Sequence, residues 1–182
     1  MTPRRCVIGC DMKDNVSQFL PEAASETLCI MAEAALLAGT GLLAASERLA
    51  GLSVTEKTQG DFVSEADVQA EKVIFDHLMQ AFPDYGWLGE ETSESVSHAD
   101  GLRWIVDPLD GTTNFLKGLP HWAVSIALFQ RDEPLAAIIH DPVKAEMFCA
   151  EKGKGAHLNG RPIKVSAAVP MRAALLASVQ MR

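Results

Sequence analysis

Basic residues are scarce: 16 Lys and Arg stand against 24 Asp and Glu, for a formal net charge of −8. A general nucleic-acid binder needs a basic surface to displace counterions, so that class is disfavoured. An acidic chain suits a site that holds cations. Cysteine is sparse too, and Cys6, Cys10, Cys29 and Cys149 are too few and too scattered for a disulfide scaffold. Cys6 and Cys10 have a spacing found in some metal sites, but no second pair accompanies them. No apolar run follows Arg4 and Arg5, where a secretory signal would place one. The uncharged stretch Ala34 to Ser46 is shorter than the roughly 20 residues that span a bilayer. Internal repeats and low-complexity tracts are absent. What remains is a soluble, cytoplasmic chain of 182 residues, 48% apolar, enough for one domain with a sizeable core.

Residues 1–21 mix Arg, Lys, Asp, Gly and Cys without a period and read as a weakly ordered leader closed by Pro21, with one domain over 22–182. Glu22 to Leu49 is rich in Ala, Leu and Glu and predicts a helix buried on most sides, weakened by Gly39 and Gly41 and ended near Gly51. Ser64 with Asp67 three residues on predicts a capped helix start. Ala66, Ala70, Val73, Ile74, His77, Leu78, Ala81 and Phe82 then follow a 3.6-residue stripe, and Pro83 stops it. His77 on that stripe reads as a core-edge histidine rather than a catalytic one.

Beyond Pro83 the texture changes to short apolar runs between turns. Tyr85–Leu88, Arg103–Val106, Ala123–Phe129, Leu135–His140 and Glu146–Ala150 read as strands, with a polar loop from Thr92 to Gly101. Asn159-Gly160 signals a two-residue hairpin before Pro162 to Val165, and Ala173 to Val179 is strand-like. Helices followed by a run of strands predict an α+β layered domain with a mainly antiparallel sheet.

The chemistry concentrates in Trp104 to Phe115, WIVDPLDGTTNF. An apolar strand delivers Asp107 at its C-terminal end, Pro108 restricts the turn, and Asp110 can face the same point three residues later. Gly111 admits a close approach to the backbone. A turn or helix opening at Thr112 would offer free N–H groups, with the hydroxyls of Thr112 and Thr113, as an anion cradle. Two aspartates facing one point repel each other unless a cation joins them, and Mg²⁺ shares oxygen ligands with phosphate. Asp-Pro and Asp-Gly alone are common turn formers; the full DPLDGTT string behind an apolar strand favours a site. Gly89-Glu90-Glu91 also follows an apolar strand, which lets Glu90 join the cleft. Asp67 can cap its helix and orient a hydroxyl such as that of Thr112.

These residues lie within strings that resemble the inositol monophosphatase family. They are GDFVSEAD (60–67), GEE (89–91), WIVDPLDGTTNF (104–115), PHWAVSIAL (120–128) and KGKGAHLNGRPI (152–163), in the family's order. The resemblance covers roughly 22–182 and implies a layered α/β/α/β/α sandwich, usually a homodimer, acting as a Mg²⁺-dependent, lithium-sensitive phosphomonoesterase. It implies Glu90, Asp107, the Leu109 carbonyl and Asp110 as metal ligands, with Asp107 between two ions. It also implies Glu90 and Thr112 as the groups that position the attacking water, Asp67 as support for Thr112, and the Gly111 and Thr112 amides as phosphate contacts. The substrate implied is a small polyol or sugar monophosphate, inositol monophosphate first. The alternatives are histidinol phosphate or another family substrate, or a non-catalytic member associated with RNA or RNA polymerase. The basic string Lys152, Lys154, Arg161 and Lys164 is the local hint for that last role. A Trp-Asp motif that completes a second cation site in the family has no counterpart: the three tryptophans precede Leu88, Ile105 and Ala123. The chain thus reads as about two-thirds of a usual member.

Overall fold

The computed structural model describes residues 15–49, 54–58, 61–92 and 101–167. The Cys6/Cys10 pair, most of the expected leader, most of the 92–101 loop and the strand-like 173–179 lie outside them. The end of that leader contributes Val16, Phe19 and Leu20 to the core.

Helix α1 spans Glu26–Ser46. It starts later than its composition predicts because Ser25 is the N-cap, its Oγ accepting the Leu28 N–H at 3.1 Å. By length and composition alone α1 is apolar enough to cross a membrane, yet Leu28, Met31, Ala34, Ala35, Ala38 and Leu42 are buried inside the fold. Its central Gly39 is a close-packing residue. A Cβ there would lie 2.9 Å from both the His140 ring and Pro142, so a side chain would drive the helix off the sheet.

After α1 a short hairpin that the sequence reading did not anticipate pairs β1 (Val54–Thr58) with β2 (Asp61–Ser64). Ser64 ends β2 and caps α2 (Glu65–Ala81) through a capping box with Asp67. The predicted stripe of α2 is the buried one, with Ala66, Ala70, Ile74 and Leu78 inside. His77 is half-buried, its Nε2 3.1 Å from Glu33 Oε2 on α1, consistent with a core-edge role. Replacing Ser64 with Ala removes the cap and is expected to destabilise the fold by about 1 kcal/mol. A lowered urea midpoint with an unchanged slope checks this.

The main sheet has seven strands in chain order: β3 (Gly86–Gly89), β4 (Leu102–Asp110), β5 (Ala123–Gln130), β6 (Glu133–Asp141), β7 (Glu146–Glu151), β8 (Gly155–Leu158) and β9 (Arg161–Ile163). Every neighbouring pair is antiparallel except β3 and β4, which run parallel. The sheet is mainly antiparallel, as the sequence predicts. Alternation along the strands sends Trp104, Val106, Val124, Ile126, Leu128, Ile138, Met147 and Cys149 into the core that the sheet shares with α1 and α2. Asn159 and Gly160 both have positive φ, as a tight two-residue hairpin needs. Gly160 also meets the Leu20 carbonyl, which a Cβ would approach to 2.9 Å.

Candidate functional site

Strand β4 is longer than its apolar run predicts. It continues through Asp107-Pro108-Leu109-Asp110 because the pairing with β5 slips there: Asp107 faces Ser125, but Asp110 faces Ala123. Three steps on one strand thus oppose two on the other. Pro108 has no N–H to give the ladder, so the irregularity falls where a ladder bond is missing in any case. Such a bulge redirects side chains at a strand end.

The parallel partner brings in the next carboxylate. Gly89 lies opposite Val106 in the β3–β4 register, so one further step along each strand sets Glu90 beside Asp107. The Glu90 N–H donates to the Val106 carbonyl at 3.1 Å, which holds that step in place. The two carboxyl groups share a side-chain hydrogen bond, and the charge of Asp110 also acts on Asp107. Burial pushes the Asp107 carboxyl up to about 8, aided by that hydrogen bond and by the charges of Glu90 and Asp110. The Leu109 N–H, 3.1 Å from Asp107 Oδ1, pulls the other way.

Asp67, in the first turn of α2, is buried. Its Oδ2 accepts the Ser64 N–H at 3.0 Å and the Ser64 hydroxyl, which completes the capping box. Its Oδ1 accepts the Thr112 hydroxyl at 2.9 Å. The capping side chain therefore also grips Thr112. The Leu109 carbonyl lies 3.1 Å from the same hydroxyl, whose single proton serves one acceptor at a time.

Gly111 has φ 96° and precedes the five-residue helix α3 (Thr112–Leu116). A Cβ at Gly111 would stand 3.1 Å from the His121 carbonyl, so this left-handed turn excludes side chains on two grounds. The first amides of α3 have no acceptor within the helix. Thr113 and Asp110 are exposed.

The structure thus brings Glu90 and Asp107 into contact and sets the Asp67 carboxylate and the Leu109 carbonyl as alternative acceptors for the Thr112 hydroxyl. Asp110 stands further out at the strand end. Among the described residues no three Asp, Glu, His or Cys side chains close on a common point as a finished ligand set. The donors nevertheless suit a hard divalent cation: all are oxygens, and Asp107 resists ionisation because it is buried and because its neighbours are anions. A cation placed against Glu90 and Asp107 would offset both the repulsion and the cost of burying the charge.

One residue was missed. Glu71 is buried on the apolar stripe of α2, one turn beyond Asp67. Its carboxylate accepts the N–H groups of Glu91 at 2.7 Å and Thr92 at 2.9 Å, and also the Thr92 hydroxyl. A charged side chain at a position reserved for apolar ones was the available signal.

Comparison with known proteins gives this α+β fold and its carboxylate-lined strand ends a class. The profile of the inositol monophosphatase family matches residues 24–182, and the chain belongs to that family. It is similar to an inositol-1-monophosphatase of Rhizobium meliloti, 46% identical over 146 residues that cover 80% of this chain and 54% of that protein. It is also similar to a protein of Xylella fastidiosa named Nus factor SuhB, 47% identical, over 75% of this chain and 49% of that one. A crystal structure of the extragenic suppressor protein suhB from Bartonella henselae superposes with a TM-score of 0.77 at 45% identity, covering 79% of this chain and 56% of that one. The chain therefore spans about half the length of such relatives.

Proposed function

We propose that this chain carries the cation- and phosphate-holding part of a Mg²⁺-dependent phosphomonoesterase that hydrolyses a small polyol or sugar monophosphate, with inositol monophosphate as first choice. The observation that supports it best is the parallel β3–β4 register, which sets Glu90 against Asp107 beside the β4 bulge. Family membership supports the same reading. A cytoplasmic homodimer sensitive to lithium belongs to this proposal.

Glu90, Asp107, Asp110 and the Leu109 carbonyl would hold the Mg²⁺. When bound it would supply Lewis-acid charge to phosphoryl oxygens and lower the pKa of water. The other tasks fall to the chain itself. Thr112, its proton engaged by Asp67, presents oxygen lone pairs that orient a water; Glu90 takes up that water's proton. The amides of Gly111 and Thr112 face the phosphate, and the left-handed turn at Gly111 keeps that approach free of side-chain atoms.

A binding role, of the kind proposed for members associated with RNA polymerase, has less support. Lys152 pairs with Glu133, and Lys154 pairs with Glu151 and reaches the Ala23 carbonyl. Half of the basic string is thereby spent within the fold. Phosphate release from inositol 1-phosphate, measured with Mg²⁺, after EDTA and after Mg²⁺ is restored, tests the proposal. Activity that follows the cation supports it. Release that ignores EDTA contradicts it.

A further inference from the structure

The Glu71 carboxylate lies directly beneath the loop that carries Glu90. A Cβ on Gly89 would come within 2.4 Å of Glu71 Oε1 and 2.7 Å of Oε2, so the backbone passes the carboxylate at a distance that leaves no room for a side chain. The two amides immediately after Glu90, those of Glu91 and Thr92, both point down to Glu71. The Thr92 hydroxyl donates to it as well, and in turn receives the Trp87 indole N–H at 3.3 Å. The Glu90 N–H instead goes sideways to the Val106 carbonyl. Residue 90 is therefore fixed on one side by the ladder to β4 and on the other by the buried carboxylate.

We infer that Glu71 is a positioning residue: it turns the chain off β3 so that the Glu90 carboxylate meets Asp107, and so sets cation affinity without touching the cation. This rests on the proposed metal site. Glu71 lies one helical turn beyond Asp67, which grips Thr112. One buried edge of α2 thus holds both loops that flank Asp107.

Glutamine at 71 keeps the shape but offers one acceptor oxygen where the loop needs two, and it turns an N–H₂ toward a backbone N–H. The loop must then shift, and supporting residues of metal ligands typically change affinity by about 10–100-fold. Mn²⁺ binding to the 182-residue chain, followed by electron paramagnetic resonance of free Mn²⁺, gives the readout without any turnover. Glu71→Gln is expected to weaken Mn²⁺ binding at least about 10-fold. Gly89→Ala, which pushes the carboxylate away from the loop side, is expected to match it and stands in if the first variant fails to fold. In a Glu90→Ala background, Glu71→Gln is expected to cause no further loss, because its effect passes through Glu90.

Equal Mn²⁺ affinity in wild type, Glu71→Gln and Gly89→Ala overturns the inference and leaves the metal site standing. A loss that persists undiminished in the Glu90→Ala background also overturns it, since a general structural defect would add. If the wild-type chain binds no Mn²⁺, the metal-site reading fails and the inference fails with it.

Discussion

Asp107→Asn is expected to lower Mg²⁺-dependent phosphate release about 10³-fold while raising the melting temperature of the metal-free protein at pH 8–9. The first effect follows from the loss of the central anionic oxygen. Metal charge stabilisation is worth several kcal/mol, and each 1.4 kcal/mol is about tenfold in rate. The second follows from the cost of ionising Asp107 beside Glu90 and Asp110, which burial increases. Asparagine keeps an oxygen for the Leu109 N–H but never carries that charge. A gain of a few degrees is expected. The opposite signs separate this prediction from simple unfolding. A variant that is both inactive and less stable would point to a structural role for Asp107, and an equally active one would remove it from the chemistry.

The second large effect is a proton released when a divalent cation binds. Asp107 has its carboxyl pushed up to about 8 in the metal-free fold, against an ordinary value of 3.8. A carboxyl raised on folding favours the folded state at low pH, and that contribution is lost as pH rises through the folded value. The metal-free protein should therefore weaken between about pH 4 and pH 8 on account of this group. A cation held against Glu90 and Asp107 needs the ionised form, so binding must expel the proton. Calorimetry of Mg²⁺ binding in buffers of different ionisation enthalpy should report about one proton at pH 6.5 and almost none at pH 9.5. Affinity should climb with pH until about 8 and then level off. Proton release that does not vary over this range would contradict the assignment.

The helix stripe of α2, the capping box and the hairpin at Asn159-Gly160 were legible because each depends on neighbours within about four residues. The DPLDGTT string suggested a candidate site for the same reason. Contacts made across the fold were hidden. Nothing local in Tyr85–Leu88 says that β3 lies parallel to β4, yet that register is what sets Glu90 against Asp107. The extension of β4 past Pro108 depends on a slip against β5, a strand thirteen or more residues away. Gly39 looked like a weak point in α1 until His140 and Pro142 came to lie against it. Glu71 was passed over because one acidic residue on a helix is ordinarily solvated, although its place among Asp67, Ile74 and Leu78 marked it as buried.

Glu90 and Asp107, with Asp110 further out, are proposed to grip a divalent cation. Crystals of this chain grown with Mn²⁺ and measured for anomalous scattering test it most directly. A peak touching carboxylate oxygens of both Glu90 and Asp107 is expected, at metal–oxygen distances of about 2.1 Å. Fully occupied Mn²⁺ elsewhere in the crystal with no peak between those two side chains would contradict it.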